Sequence, residues 1–215
     1  MSGTYFDQFY DSQAEDAEKL ERCRFLGPKV KTIFILSILQ IICNVLSNEK
    51  VAMISFGLYF AALIAGIIVG IIYGAILISM SKVSDRFKIA GICSILSPII
   101  ALAAGVIGGV LLTVGGIIVL ILPFVAMYQE IYGYSDTLSG INNSLSMKWQ
   151  DIWKKMILWL IIMIVSLVVM FIIQFLGTIG IIVSAIALIV VSITRLVYIA
   201  DTANVFNNYA YYHNK

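Results

Sequence analysis

Charge is what this chain has least of. Asp, Glu, Lys and Arg make up 12% of its 215 residues, about half the share in an average soluble domain. After Lys88 no charged residue appears until Glu130, and 61% of all residues are hydrophobic. A soluble globule of this size needs a far more polar surface, so the excess apolar surface is expected to face lipid.

Catalytic and metal-binding patterns are equally scarce. The only histidine is His213, and the three cysteines, Cys23, Cys43 and Cys93, show no C-x-x-C spacing. They read as small buried thiols. The chain contains no H-E-x-x-H, P-loop or G-x-S-x-G motif, and no cofactor, metal or catalytic residue is expected. Cations are spread over several segments rather than gathered in one patch, which argues against nucleic acid as a partner. The first apolar run starts near Val30, after Asp7, Asp11, Glu15, Asp16, Glu18 and Glu21. That charge is the wrong sign for a cleavable signal peptide, and none is expected.

What is present is a set of long apolar runs. The uncharged stretch after Lys88 holds 41 residues, about 60 Å as one helix against a hydrocarbon core about 30 Å thick. It is therefore predicted to fold as two helices, turning at Gly105, Gly108 and Gly109. The same reasoning divides 156–194 near Gly177-Thr178-Ile179-Gly180. The expected fold is all-α and polytopic, with six transmembrane helices as three hairpins over about 29–47, 51–79, 88–106, 109–129, 153–174 and 180–199. With the N-terminus inside, thirteen of the fourteen lysines and arginines fall on the inner side and only Lys50 outside. This bias predicts a multi-pass plasma-membrane protein with both termini cytoplasmic.

Residues 1–28 read as a cytoplasmic head carrying a short helix. Ser12-Gln13-Ala14-Glu15 forms a capping box, Glu15–Lys19 and Glu18–Arg22 are charge pairs, and Gly27-Pro28 is the expected stop. The transmembrane domain covers 29–200, and 201–215 is a cytoplasmic tail. Segment 131–152 is amphipathic, with Leu138, Ile141, Leu145, Trp149 and Ile152 at helical spacing. It reads as a helix along the inner membrane surface or a plain connector, with Trp149 and Trp153 as interface anchors. Asp136-Thr137 with Ile141-Asn142-Asn143 matches Asp201-Thr202 with Phe206-Asn207-Asn208 at an offset of 65 residues, which suggests a repeated hairpin.

Three groups of residues stand out. Ser37, Gln40, Asn44 and Ser47 share one face of span one. They serve either as interhelical hydrogen bonders or as the lining of a solute path. Ala62, Gly66, Gly70 and Gly74 form a small-residue face suited to close packing, within the chain or in a homo-oligomer. Glu130 and Arg195 end spans four and six at matching places, and an ion pair between them is the expectation.

Glu130-Ile131-Tyr132, Tyr134-Ser135-Asp136-Thr137-Leu138, Leu145-Ser146-Met147-Lys148-Trp149 and Ile152-Trp153-Lys154 loosely resemble a group of uncharacterised multi-span proteins of Gram-positive bacteria. The resemblance implies a bacterial plasma membrane and carries no activity. Two functions are expected from the residues. One is a non-enzymatic scaffold, regulator or subunit meeting a protein partner in the bilayer. The other is a small-solute transporter or channel component with its path along span one.

Overall fold

The computed structural model describes the backbone of residues 3–107 and 109–213, and the side chains of 14–103 and 115–213. The chain folds as an all-α membrane protein: α1 (Gly3–Leu46), α2 (Glu49–Ile54), α3 (Phe56–Ser79), α4 (Asp85–Ile107), α5 (Gly109–Leu138), α6 (Asn143–Ile172) and α7 (Gln174–Tyr212). A 3-10 turn, Met80–Lys82, follows α3. All but the short α2 are long and apolar enough to cross a bilayer. Their even number places both chain ends on one side, the terminal end; the opposite side is the hairpin end.

Contacts run from α1 to α3, α4, α5, α6, α7 and back to α1, which closes a ring. α1, at 44 residues, is about 66 Å long and α7, at 39 residues, about 58 Å. Both outrun a hydrocarbon layer of about 30 Å. The surplus lies at the terminal end, and the close-packed core lies there too: Leu26, Val30, Phe87, Tyr134, Leu138, Trp149, Ile199 and Phe206 are fully buried. Water drives apolar side chains together at that end. Toward the hairpin end lipid is as good a solvent as another helix, and Phe56, Leu120, Phe171 and Phe175 are left exposed.

Several expected boundaries move. Gly27-Pro28 does not stop the first helix; α1 passes straight through it. Pro28 lies on the exposed face, where the amide it lacks costs least. Gly27 is buried, and a side chain there would strike the Asn207 amide oxygen of α7. The pair packs rather than punctuates, and no separate head helix ends at residue 28. Span two begins at Phe56 and not at 51, because Ser55 leaves the helical conformation and caps α3 by accepting from the Leu58 amide at 3.4 Å. α4 ends at Ile107 and α5 begins at Gly109; Gly108, one of the three glycines expected to turn the chain, lies outside the described residues. The last hairpin turns at Ile173, ahead of the expected Gly177–Gly180 site. Those glycines sit inside α7, where side chains would collide with the Met170 backbone and with Ser166 of α6.

Nor is 131–152 one helix on the membrane surface. It is the end of α5, a turn and the start of α6. Gly140 takes a positive φ of 79° in that turn. The Asn142 side chain caps α6 by accepting from the Leu145 amide at 3.0 Å. Leu138, Leu145, Trp149 and Ile152 face one another in the core rather than lipid, because two helices that overshoot the bilayer side by side bury each other's apolar stripes.

Candidate functional site

Three side chains from alternate members of the ring meet at its centre. Tyr73 is the only polar residue between Phe60 and Ser79 of α3. Its hydroxyl donates to Glu130 Oε1 of α5 at 2.6 Å. Arg195 Nη2 of α7 donates to Glu130 Oε2 at 2.6 Å and to the Tyr73 hydroxyl at 3.0 Å. The expected Glu130–Arg195 pair is thus brought together, with a tyrosine as third member. Glu130 stands 21 residues after Gly109, and Arg195 stands 21 residues after Gln174. Both are about 32 Å from the hairpin end, at the edge of the hydrocarbon nearer the chain termini.

Residues further along each of these helices share a face with the cluster. Four and seven residues beyond Tyr73, Glu130 and Arg195 lie Leu77 and Met80, Tyr134 and Thr137, and Ile199 and Thr202. All six are buried. Each hairpin's second helix therefore turns the same stripe inward, polar at the top and apolar or hydroxylic beneath, as helical spacing allows. The charged pair leaves little net field. Glu130 is 3% exposed and Arg195 26%, so the carboxylate depends on its two donors while the guanidinium keeps some outside contact. Arg195 Nε and the Tyr134 hydroxyl are buried without a partner. Tyr73 holds Oε1 of Glu130, so the carboxylate engages Arg195 through one oxygen and not as the two-bond fork this pair usually forms.

The polar stripe of span one divides. Ser37 is buried and donates to the Ile33 carbonyl at 2.8 Å. Gln40 Nε2 donates to Asn44 Oδ1 of its own helix at 3.2 Å, and Ser47 to the Asn44 carbonyl at 3.4 Å. The Gln40 amide lies against α3, where side chains added at Gly66 and Gly70 would stand 3.6 and 3.9 Å from it. Asn44 is exposed. Ala62 is buried, while Gly74 turns the other way and meets the Gly91 carbonyl of α4, 2.7 Å from where its own Cβ would be. The small-residue face therefore serves two neighbours within the chain.

Trp149 is not an interface anchor. It is fully buried, stacks on Tyr134 with centroids 4.8 Å apart and donates its indole N–H to Thr202 Oγ1 at 3.0 Å. Its place in the apolar stripe of α6, across from α7, takes it inside. Trp153 is half-buried and meets Tyr128 edge-on at 5.1 Å, and Tyr128 meets Tyr132 at 4.7 Å. These three form the aromatic group at the level of the cluster. Trp149→Phe is expected to cost about 2–3 kcal/mol, by removing one buried hydrogen bond and leaving a cavity beside Tyr134, read as a fall in thermal midpoint; an unchanged midpoint would mean that Trp149 is not buried against Tyr134 and Thr202.

Sequence reading missed Tyr73, although a lone hydroxyl in an apolar run was a usable signal. It also missed Arg86, which donates to Asp136 Oδ2 at 2.7 Å and lies over the Tyr132 ring. No spacing rule links residues 50 positions apart. No protein-family model, characterised protein or solved structure matches the chain.

Proposed function

We propose that this is a non-enzymatic membrane protein that works through helix contacts, as a scaffold, regulator or subunit of a larger assembly. Its proposed setting is a bacterial plasma membrane, with both termini in the cytoplasm. The observation that carries the reading is the fate of the stripe on span one: the Gln40 amide lies against the glycine face of α3, as a packing device does. Among the described residues, twelve of thirteen lysines and arginines lie at the terminal end, which supports the orientation.

Purification in mild detergent, with identification of co-purifying proteins, tests the function. A stoichiometric partner is expected, and a single clean species under several detergents would count against it. Labelling of introduced cysteines tests the orientation. Lys50→Cys is expected to react from outside intact cells and Lys148→Cys to stay unlabelled; the reverse pattern would invert the topology.

One observation favours the second reading, a solute path. Gln40 Oε1 is buried without a donor, and Asn44 lines a hollow of about 530 Å³ at the hairpin end with Ile41, Val45, Asn48, Lys50 and Val51. Replacing Gln40 and Asn44 by leucine discriminates. If the amides only pack, losing an unsatisfied acceptor leaves thermal stability unchanged or raised by about 1 kcal/mol. A marked fall would show that they hold water or solute.

A further inference from the structure

The three hairpins, α1/α3, α4/α5 and α6/α7, are not joined alike. Each hairpin carries a long-range polar contact of its own: Lys29 to Ser79, Arg86 to Asp136, and Trp149 to Thr202. The first two hairpins are also fused by backbone, because Gly74 of α3 and Gly91 of α4 leave no room for a methyl group between them. The third is tight internally, where Gly177 and Gly180 admit Met170 and Ser166 of its own partner helix.

Its attachment to the rest has two levels. At the terminal end Ser146 and Gln150 bond Ser135 of α5, beside the turn that joins α5 to α6. Asn207 of α7 lies there against Gly27 of α1. Nearer the hairpin end, the polar contact that fastens it is Arg195, reaching Glu130 and Tyr73 through one nitrogen. Beyond Arg195, Ile182, Val183, Ile186, Ile189, Val190 and Ile193 of α7 are all exposed.

We propose that the α6/α7 hairpin is a movable unit latched to the other four spanning helices by Arg195, on a platform made by Tyr73 and Glu130. The contacts at the terminal end are its hinge, and the seams to α5 and α1 open when the latch lets go. Three features suit a latch rather than a permanent weld. The guanidinium uses one of its three nitrogens in the cluster, its Nε is unpaired, and a quarter of the side chain is exposed. A pair of opposite charges also has two discrete arrangements, joined or apart, as a bistable element requires. The inference does not depend on either reading of function. A part in assembly would use the opened seam for a partner helix, and a solute path would use it as a gate.

The reporter is Ser37→Cys, on α1 beside the platform, in the full chain with Cys23, Cys43 and Cys93 replaced by alanine and the protein held in lipid nanodiscs. Its reaction rate with N-ethylmaleimide measures opening. With Arg195 intact the rate is expected to be slow. Arg195→Gln is expected to raise it about tenfold, by shifting the opening equilibrium. Arg195→Lys keeps the charge, but its compact, more strongly hydrated ammonium holds the platform less firmly, and it is expected to raise the rate about threefold. The exchange Glu130→Arg with Arg195→Glu is expected to bring it back toward the starting value. Equal rates for the parent and the Arg195→Lys and Arg195→Gln proteins would overturn the latch. So would an exchange protein that reacts as fast as Arg195→Gln. Should Arg195→Gln fail to fold, the lysine protein decides alone.

Discussion

Gly91→Val is expected to destabilise the protein by about 3 kcal/mol, near the top of the overpacking range. The built Cβ at residue 91 runs into the Gly74 carbonyl oxygen and lies 2.7 Å from Ile78 Cγ1 and 2.8 Å from the Ile78 amide nitrogen. Two of these three atoms are backbone, so no rotamer change relieves them and α3 must move off α4. Because α3 also presents Gly66 and Gly70 to α1 and Tyr73 to the cluster, that displacement reaches both neighbours. The control is Gly116→Ala, at a site with nothing within 4 Å. It is expected to be neutral, or to stabilise by up to about 1 kcal/mol through helix propensity. Thermal unfolding of both proteins in one detergent decides the matter: equal midpoints would mean that α3 and α4 do not cross this closely.

The second large effect concerns the charged cluster, and its sign pattern is specific. Arg195→Ala leaves Glu130, 3% exposed, without its counter-charge and is expected to cost about 3–5 kcal/mol. Glu130→Ala leaves an arginine that is 26% exposed and can turn its head to the boundary. It is expected to cost less, about 1–3 kcal/mol. The protein with both alanines should be more stable than the one with Arg195→Ala alone, because no unpaired buried charge remains. Reversible denaturation of the four proteins gives the coupling directly. Strict additivity would mean that the two charges do not sense each other.

Tyr73→Phe is expected to be mild, within about 1 kcal/mol. Removing its hydroxyl frees Oε1 of Glu130 to form the two-bond fork with Arg195, including the Nε that is now unpaired. A loss as large as that of Arg195→Ala would show instead that the tyrosine anchors the cluster.

Much of this fold is legible in the sequence. Helix number followed from comparing the length of an uncharged run with the thickness of a bilayer, a comparison that needs no partner. Matching places for Glu130 and Arg195 followed from where each ends its apolar run, since the length of the run sets the depth. Turn positions were less legible. Gly177 and Gly180 looked like a turn because glycine signals both a turn and a close approach, and one chain does not say which. Gly27-Pro28 misled for a related reason: a proline weakens a helix wherever it sits, and whether the packing around it holds the helix together is a property of the neighbours. Trp149 and Trp153 are four residues apart on one helix, yet one lies in the core and the other at its edge.

By itself, then, the sequence determined the class, the helix count, the side on which the charges gather and the depth of the ionisable residues. Each is set by transfer between water and hydrocarbon, which acts on one segment at a time. The tertiary structure decided the closing of the ring, the third partner of the ion pair, the burial of Trp149 and the choice between glycine as hinge and glycine as contact. Those outcomes rest on which surfaces meet, and side chains far apart in the chain make that choice jointly.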